Sequence, residues 1–203
     1  MKKTILVTGG LGFIGYHLVN FLLENYSDCS ITIVDNLSSS IIDYSHLKNK
    51  AVVHVIDLRD FTLNPSNDFE HIYHLASPVG SLGILKKTGY IAKDILELTY
   101  KIIEITNITQ ARLLYISSSE VYGHAGNHDE TARKYVPTNI GSRTEYLLGK
   151  LTSEIILHNF SQINKLTYNI CRPFNVIGEH QDSSIGFVVP TFFEHSILGK
   201  DLP

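Results

Sequence analysis

The chain has 203 residues, 43% of them hydrophobic and 18% charged, enough apolar material for one sizeable domain and too much for a disordered chain. Its formal net charge is −3 with no basic block, so no nucleic-acid partner is expected. Met1-Lys2-Lys3-Thr4 leads straight into a strand pattern, with no signal-peptide core and no apolar run long enough to span a bilayer; the expected location is cytoplasmic, with no membrane partner.

Lys3-Thr-Ile-Leu-Val7 reads as a short buried strand ended by Thr8-Gly9-Gly10-Leu11-Gly12-Phe13-Ile14-Gly15. A helical pattern follows, with Ile14, Leu18, Phe21 and Leu22 on one side as far as Tyr26. Further apolar runs at 30–35, 51–56, 70–76, 112–117 and 166–172 predict five more strands, the last stopped by Pro173. Between the later strands Ile91, Ile95, Leu98, Ile102 and Ile105 mark one helix, and Leu147, Leu148, Leu151, Ile155, Ile156 and Phe160 another over 143–160. Lys93, Glu97 and Lys101 predict two i,i+4 ion pairs on the wet side of the first. Both apolar stripes are wider than one sheet contact requires, which suggests a homodimer.

Continuous apolar strands alternating with helices indicate an α/β doubly wound parallel sheet, a Rossmann fold with expected strand order 3-2-1-4-5-6. Cys29 and Cys171 are far apart in sequence and read as a surface and a core thiol rather than a disulfide. The histidine pairs His71/His74 and His124/His128 invite a metal reading. A spacing of three on an alternating strand points the first pair to opposite faces, and no functional metal is expected.

Two patterns carry chemistry. The glycines at 10, 12 and 15 follow a strand and open a helix, the context in which such a turn cradles a pyrophosphate at the helix N-terminus. Asp35 ends the second strand twenty residues after Gly15, where an acid would hold ribose hydroxyls and repel a 2′-phosphate; the expected cofactor is NAD rather than NADP. Tyr146 and Lys150, four apart on a helix, lie one turn from each other on one face. A lysine so close is expected to lower the phenol from about 10 toward neutrality and make it a proton abstractor for a hydroxyl.

With these segments in place the sequence resembles the extended short-chain dehydrogenase/reductase family of NAD-dependent nucleotide-sugar epimerases and dehydratases, closest in motif to UDP-glucuronate decarboxylases. The resemblance rests on 8–15, Asp57-Leu-Arg-Asp60, His74-Leu-Ala-Ser77, Ser117-Ser-Ser-Glu-Val-Tyr-Gly123, Tyr146-Leu-Leu-Gly-Lys150 and Arg172-Pro-Phe-Asn-Val-Ile-Gly178, in the family's order. It implies that the turn is read as Gly9, Gly12 and Gly15, with Phe13, Ile14, Asp35 and Asn36 also at the cofactor. It further implies Asp57 and Leu58 by the adenine, Ala76 and Ser77 by the ribose and phosphates, and Pro173 near the nicotinamide. Tyr146, Lys150, Ser118, Ser119 and Glu120 become the catalytic set, and Glu120, Asn175 and Val189 the substrate contacts. The implied reaction passes through a transient 4-keto sugar. Ser119-Glu120, where 4,6-dehydratases carry Asp-Glu, favours decarboxylation of a UDP-uronic acid, since a 4-keto uronic acid is a β-keto acid and loses carbon dioxide readily. A 4,6-dehydratase, a 4-epimerase, or an NAD-binding chain without turnover are the alternatives.

Three departures accompany the resemblance: Gly149 stands where relatives carry serine, Asp94 where many carry asparagine, and Ser81-Leu-Gly-Ile-Leu85 is unusual for the family. By the same resemblance 1–178 is the NAD-binding domain and 179–203 the start of a substrate lobe that relatives continue further. The expected consequences are a mobile or subunit-held last segment and weak turnover.

Overall fold

The computed structural model describes residues 3–40, 42–64, 67–79, 81–123, 129–131, 134, 136, 138 and 140–202. His124 and His128 lie outside them. Six strands, β1 (Lys3–Thr8), β2 (Cys29–Asp35), β3 (Val52–Val55), β4 (His71–His74), β5 (Arg112–Ile116) and β6 (Tyr168–Cys171), form one sheet. Its order is β3-β2-β1-β4-β5-β6 and every neighbouring pair is parallel, as expected. Among the described residues five helices accompany it: α1 (Phe13–Asn25), α2 (Ser81–Lys86), α3 (Ile91–Thr109), α4 (Ser142–Asn164) and α5 (Val188–Ile197).

Alternation along β1 builds a core on each face of the sheet. Ile5 and Val7 join Val19 and Leu22 of α1, while Leu6 joins Ile102 and Ile105 of α3 and Leu157 of α4. The sheet thus has α1 on one side and the α3/α4 pair on the other. The crossovers into β3 and β4 carry only 3-10 turns, Ser45–Leu47 and Leu58–Asp60, among the described residues. Short polar segments such as Asn36-Leu-Ser-Ser-Ser40 have no apolar stripe to hold a helix there.

Two helical details differ from the sequence reading. α4 runs on past Phe160 through a polar turn and stops where Lys165 takes a left-handed conformation, φ 55°. Lys93 does pair with Glu97 at 3.6 Å, but Lys101 reaches Glu104 instead, because Arg59 takes the other oxygen of Glu97 at 2.9 Å. Arg59 also binds Asp57 and Asp94, and Lys87 closes on Asp94 at 2.7 Å, so the unusual Asp94 is held between two cations.

α3 and α4 pack closely. A Cβ added at Gly149 would lie 3.0 Å from the Ile95 side chain and 3.2 Å from the Ala92 Cα, so the glycine lets the helix backbones approach. Beneath them Thr99 Oγ1 is 3.1 Å from the Tyr115 hydroxyl and 2.9 Å from Ser153 Oγ, which satisfies three buried hydroxyls together. Among the described residues no helix is long and apolar enough to cross a membrane.

Candidate active site

The C-terminal ends of β1, β4 and β5 and the N-terminal half of α4 converge on one region. At β1 the chain turns sharply. Gly9 has φ +70°, and a Cβ on it would lie 2.7 Å from Ala76 N; a Cβ on Gly15 would lie 2.1 Å from the Gly9 carbonyl. Those two positions need glycine for the fold itself. Gly12 differs: among the described residues, its chain neighbours aside, the nearest atom to its added Cβ is the Gly9 carbonyl oxygen at 3.4 Å. The open side of Gly12, at the N-cap of α1, is where a pyrophosphate can approach the backbone, so this turn fits a dinucleotide.

Asp35 is nearly buried, and both its oxygens already accept backbone hydrogen bonds, Oδ2 from Leu11 N at 2.9 Å and Oδ1 from Leu37 N at 2.8 Å. The carboxylate that the sequence assigns to a ribose therefore also pins the glycine turn to the end of β2. Each oxygen keeps a second lone pair for a hydroxyl. Asn36 Nδ2 donates to Asp57 Oδ2 at 3.3 Å and ties that strand end to the 3-10 turn at Leu58, which is buried. Asp57 caps the turn through Arg59 N and is paired with the Arg59 side chain, whose hydrogen bond holds it far below the usual carboxylate range. Ala76 N donates to Thr8 Oγ1 at 3.4 Å, and Ser77 Oγ to the Pro78 carbonyl at 3.3 Å. Phe13 packs against Gly178, whereas Ile14 is exposed.

α4 carries Tyr146 and Lys150 as its sequence predicts. Lys150 is 2% exposed; its Nζ donates to the Ile116 carbonyl at 2.8 Å and lies 5.2 Å over the Tyr115 ring and 6.0 Å from the Tyr146 ring. The Ser118 side chain lies close enough to the Tyr146 phenol to favour its phenolate form. Ser118 in turn caps the 3-10 turn Ser119–Tyr122 by accepting from Glu120 N at 3.2 Å. Tyr146, Ser118, Glu120 and Lys150 are thus brought together, and Ser119 N donates to the Pro173 carbonyl at 3.0 Å. Asn175 and Val189 are exposed, and no described contact joins either to this group.

One expectation fails in the protein alone. Lys150 does not lower the phenol toward neutrality. Desolvation dominates and pushes Tyr146 up to about 12, against the lowering effect of the Ser118 side chain; the nearby Tyr115 and the Glu120 carboxylate push it up as well. Burial also brings Lys150 down to about 7, so near neutral pH it carries only part of a charge. Helical spacing gave proximity but not burial.

Three neighbours went unassigned in the sequence. His74, buried at the end of β4, bonds Thr8 Oγ1 through Nδ1 at 2.8 Å and leans on the Tyr115 ring. Arg172 and Glu154 form a close ion pair behind Lys150, for which the i,i+4 spacing of Lys150 and Glu154 was the available signal. Among the described residues no group of three or more His, Cys, Asp or Glu side chains could hold a metal ion.

A family model described as the NAD dependent epimerase/dehydratase family matches residues 5–203. UDP-glucuronic acid decarboxylase 6 of Arabidopsis thaliana is 29% identical over 98% of this chain and 58% of its own length. UDP-glucuronic acid decarboxylase 1 of Xenopus tropicalis is 28% identical over 99% of this chain and 48% of its own. The chain therefore spans about half the length of the curated relatives it matches. Among solved structures, a UDP-N-acetylglucosamine 4-epimerase from Methanobrevibacter ruminantium, in complex with UDP-N-acetylmuramic acid, superposes with a TM-score of 0.83 at 28% identity, over 99% of this chain and 65% of that one.

Proposed function

The chain belongs to the NAD-dependent epimerase/dehydratase family, and from that premise we propose that it modifies a nucleotide sugar through a transient 4-keto intermediate, decarboxylating a UDP-uronic acid. The observation that carries the reading is the convergence of the Tyr146 phenol, its Ser118 partner and the Glu120 carboxylate at the end of β5, with Lys150 buried behind them. NAD, when bound, supplies the hydride acceptor and a positive charge that favours the phenolate. Tyr146 takes the proton from the C4 hydroxyl, Ser118 orients that hydroxyl, and Lys150 holds the ribose next to the nicotinamide. Ser119 leaves C6 without a second acid, which suits loss of carbon dioxide from the β-keto acid, and Glu120 handles the proton returned to the sugar.

The other cofactor contacts are Gly9, Gly12, Phe13, Ile14, Gly15, Asp35, Asn36, Asp57, Leu58, Ala76, Ser77 and Pro173. Asn175 and Val189 serve the substrate, with residues 1–178 as the NAD-binding unit and 179–203 opening a substrate-binding lobe. Asp35 supports NAD over NADP, because a 2′-phosphate would meet its carboxylate. Titration of both cofactors is expected to show NAD binding at least about tenfold tighter. Comparable or stronger NADP binding would refute the assignment of Asp35.

A 4-epimerase is the second reading, favoured by the solved 4-epimerase that this chain resembles. The two separate by mass. Incubation with NAD and a panel of nucleotide sugars is expected to give a product lighter by carbon dioxide from a UDP-uronic acid, whereas epimerisation leaves the mass unchanged. Glu120→Gln should keep oxidation at C4 within about threefold and slow product formation by at least about tenfold. A complete reaction at wild-type rate in that variant would reduce Glu120 to a surface carboxylate.

Homodimerisation is proposed through α3 and α4. Leu148 and Ile155, seven residues apart on α4, are 39% and 52% exposed, and the half-exposed Tyr100 of α3 meets Phe160 edge to face beside them. Sedimentation is expected to give twice the chain mass, and Ile155→Glu a monomer. A wild-type monomer at high concentration removes the proposal.

A further inference from the structure

Glu154 lies one helical turn beyond Lys150, so the two side chains leave α4 on one face. Both are buried, Lys150 at 2% and Glu154 at 6% exposure. Arg172, the first residue after β6, closes on Glu154 with two parallel hydrogen bonds, Nε to Oε1 at 2.9 Å and Nη2 to Oε2 at 2.6 Å. Its guanidinium also lies 5.0 Å over the ring of Tyr122, the last residue of the turn that carries Glu120. The next residue, Pro173, accepts from Ser119 N. A buried carboxylate is therefore shared between a permanent cation and a lysine whose charge is variable, and the cation also braces the Ser119–Tyr122 turn.

We propose that Glu154 and Arg172 are a positioning pair that sets the charge on Lys150. This rests on the reading of Lys150 as the group that holds the cofactor's ribose. The surroundings of Lys150 leave little else to set it. Tyr115 of β5 and Tyr146 of α4 are phenols that burial keeps protonated, and His74 of β4 is kept neutral by burial. α3 presents the neutral Thr99, and Glu120 acts on Tyr146 rather than on Lys150. The Ile116 carbonyl and the Tyr115 ring also favour the ammonium, but among the described residues Glu154 is the charged side chain that supports it against burial. How far its field reaches Lys150 depends on how much of it Arg172 neutralises, and a guanidinium does not titrate.

The two halves of the pair therefore act on Lys150 with opposite sign. Removing the carboxylate should discharge the lysine, and removing the guanidinium should leave the carboxylate free to charge it. A pair that only fastened α4 to β6 would lower stability in both variants and move the titration in neither.

The test follows Lys150 directly in the unliganded protein labelled with carbon-13 lysine, its signal identified by loss in Lys150→Met. Glu154→Gln is expected to lower the titration midpoint by about one unit or more, and Arg172→Met to raise it by a similar amount. Arg172→Lys, which restores the charge without the fork, should return it to within about half a unit of wild type. Unmoved midpoints, or shifts of the same sign in Glu154→Gln and Arg172→Met, overturn the proposal. If Arg172→Met does not fold, an unmoved midpoint in the near-isosteric Glu154→Gln is decisive alone. Calorimetric NAD affinity against pH, on the same samples, is expected to shift its inflection with each midpoint. Midpoints that move while the NAD inflection stays fixed would uphold the charge coupling and instead overturn the cofactor role of Lys150.

Discussion

Replacing Tyr146 with phenylalanine is expected to leave NAD affinity within about twofold of wild type and to slow hydride transfer by about a thousandfold. The ring keeps its place on α4, and the substitution removes the hydroxyl beside Ser118. The proton acceptor for the sugar hydroxyl is lost with it. In the protein alone the phenol stands at about 12, so only a small fraction is phenolate near neutral pH. Each unit that bound cofactor takes off that value raises the phenolate fraction tenfold. The wild-type rate should therefore climb with pH up to the phenol's value in the complex, and the variant should lose that slope. Reduction of bound NAD in a single turnover, followed across pH, reads both. A Tyr146→Phe protein that reduces NAD at the wild-type rate would move the base elsewhere.

What the sequence could not reveal about this site is mostly a matter of burial. Tyr146 and Lys150 were legible as neighbours because helical spacing is geometric, and the strand order followed from apolar runs alternating with helices. Their protonation was not legible, since it depends first on burial and then on Ser118, Tyr115 and Glu120, which come from another segment of the chain, at and just after β5. Asp35 shows the same limit differently. Its place at the end of β2 could be read from its distance to Gly15, and its bond to Leu37 N is a local turn, but its bond to Leu11 N exists only once β1 and β2 pair. Lys101 was assigned to the wrong acid because Arg59, far away in sequence, competes for Glu97. Local periodicity carries fold and spacing; competition among charges is decided by tertiary contacts.

The same reasoning makes His74 a strong acid-sensitive element in the core, and its effect on stability can be worked out in sign and size. Burial lowers its ring to about 3, with the Lys150 charge as a smaller cause, while an unfolded histidine titrates near 6.5. Between those values the unfolded chain binds more protons than the folded one, so stability rises with pH across that window. The stabilisation is complete above about pH 6.5 and is lost progressively as pH falls toward 3. Over the step from about pH 6.5 to 4.5 this group should cost about 2 kcal/mol. Carboxylates titrate in the same range, so the contribution is isolated by difference. His74→Gln keeps a polar partner for Thr8 Oγ1 but cannot take up the proton. Urea unfolding at both pH values is expected to show the wild type losing about 2 kcal/mol more than His74→Gln, whatever the variant's starting stability. Equal losses in the two proteins would mean that His74 reaches water on protonation and that the end of β4 opens more easily than its packing against Tyr115 implies.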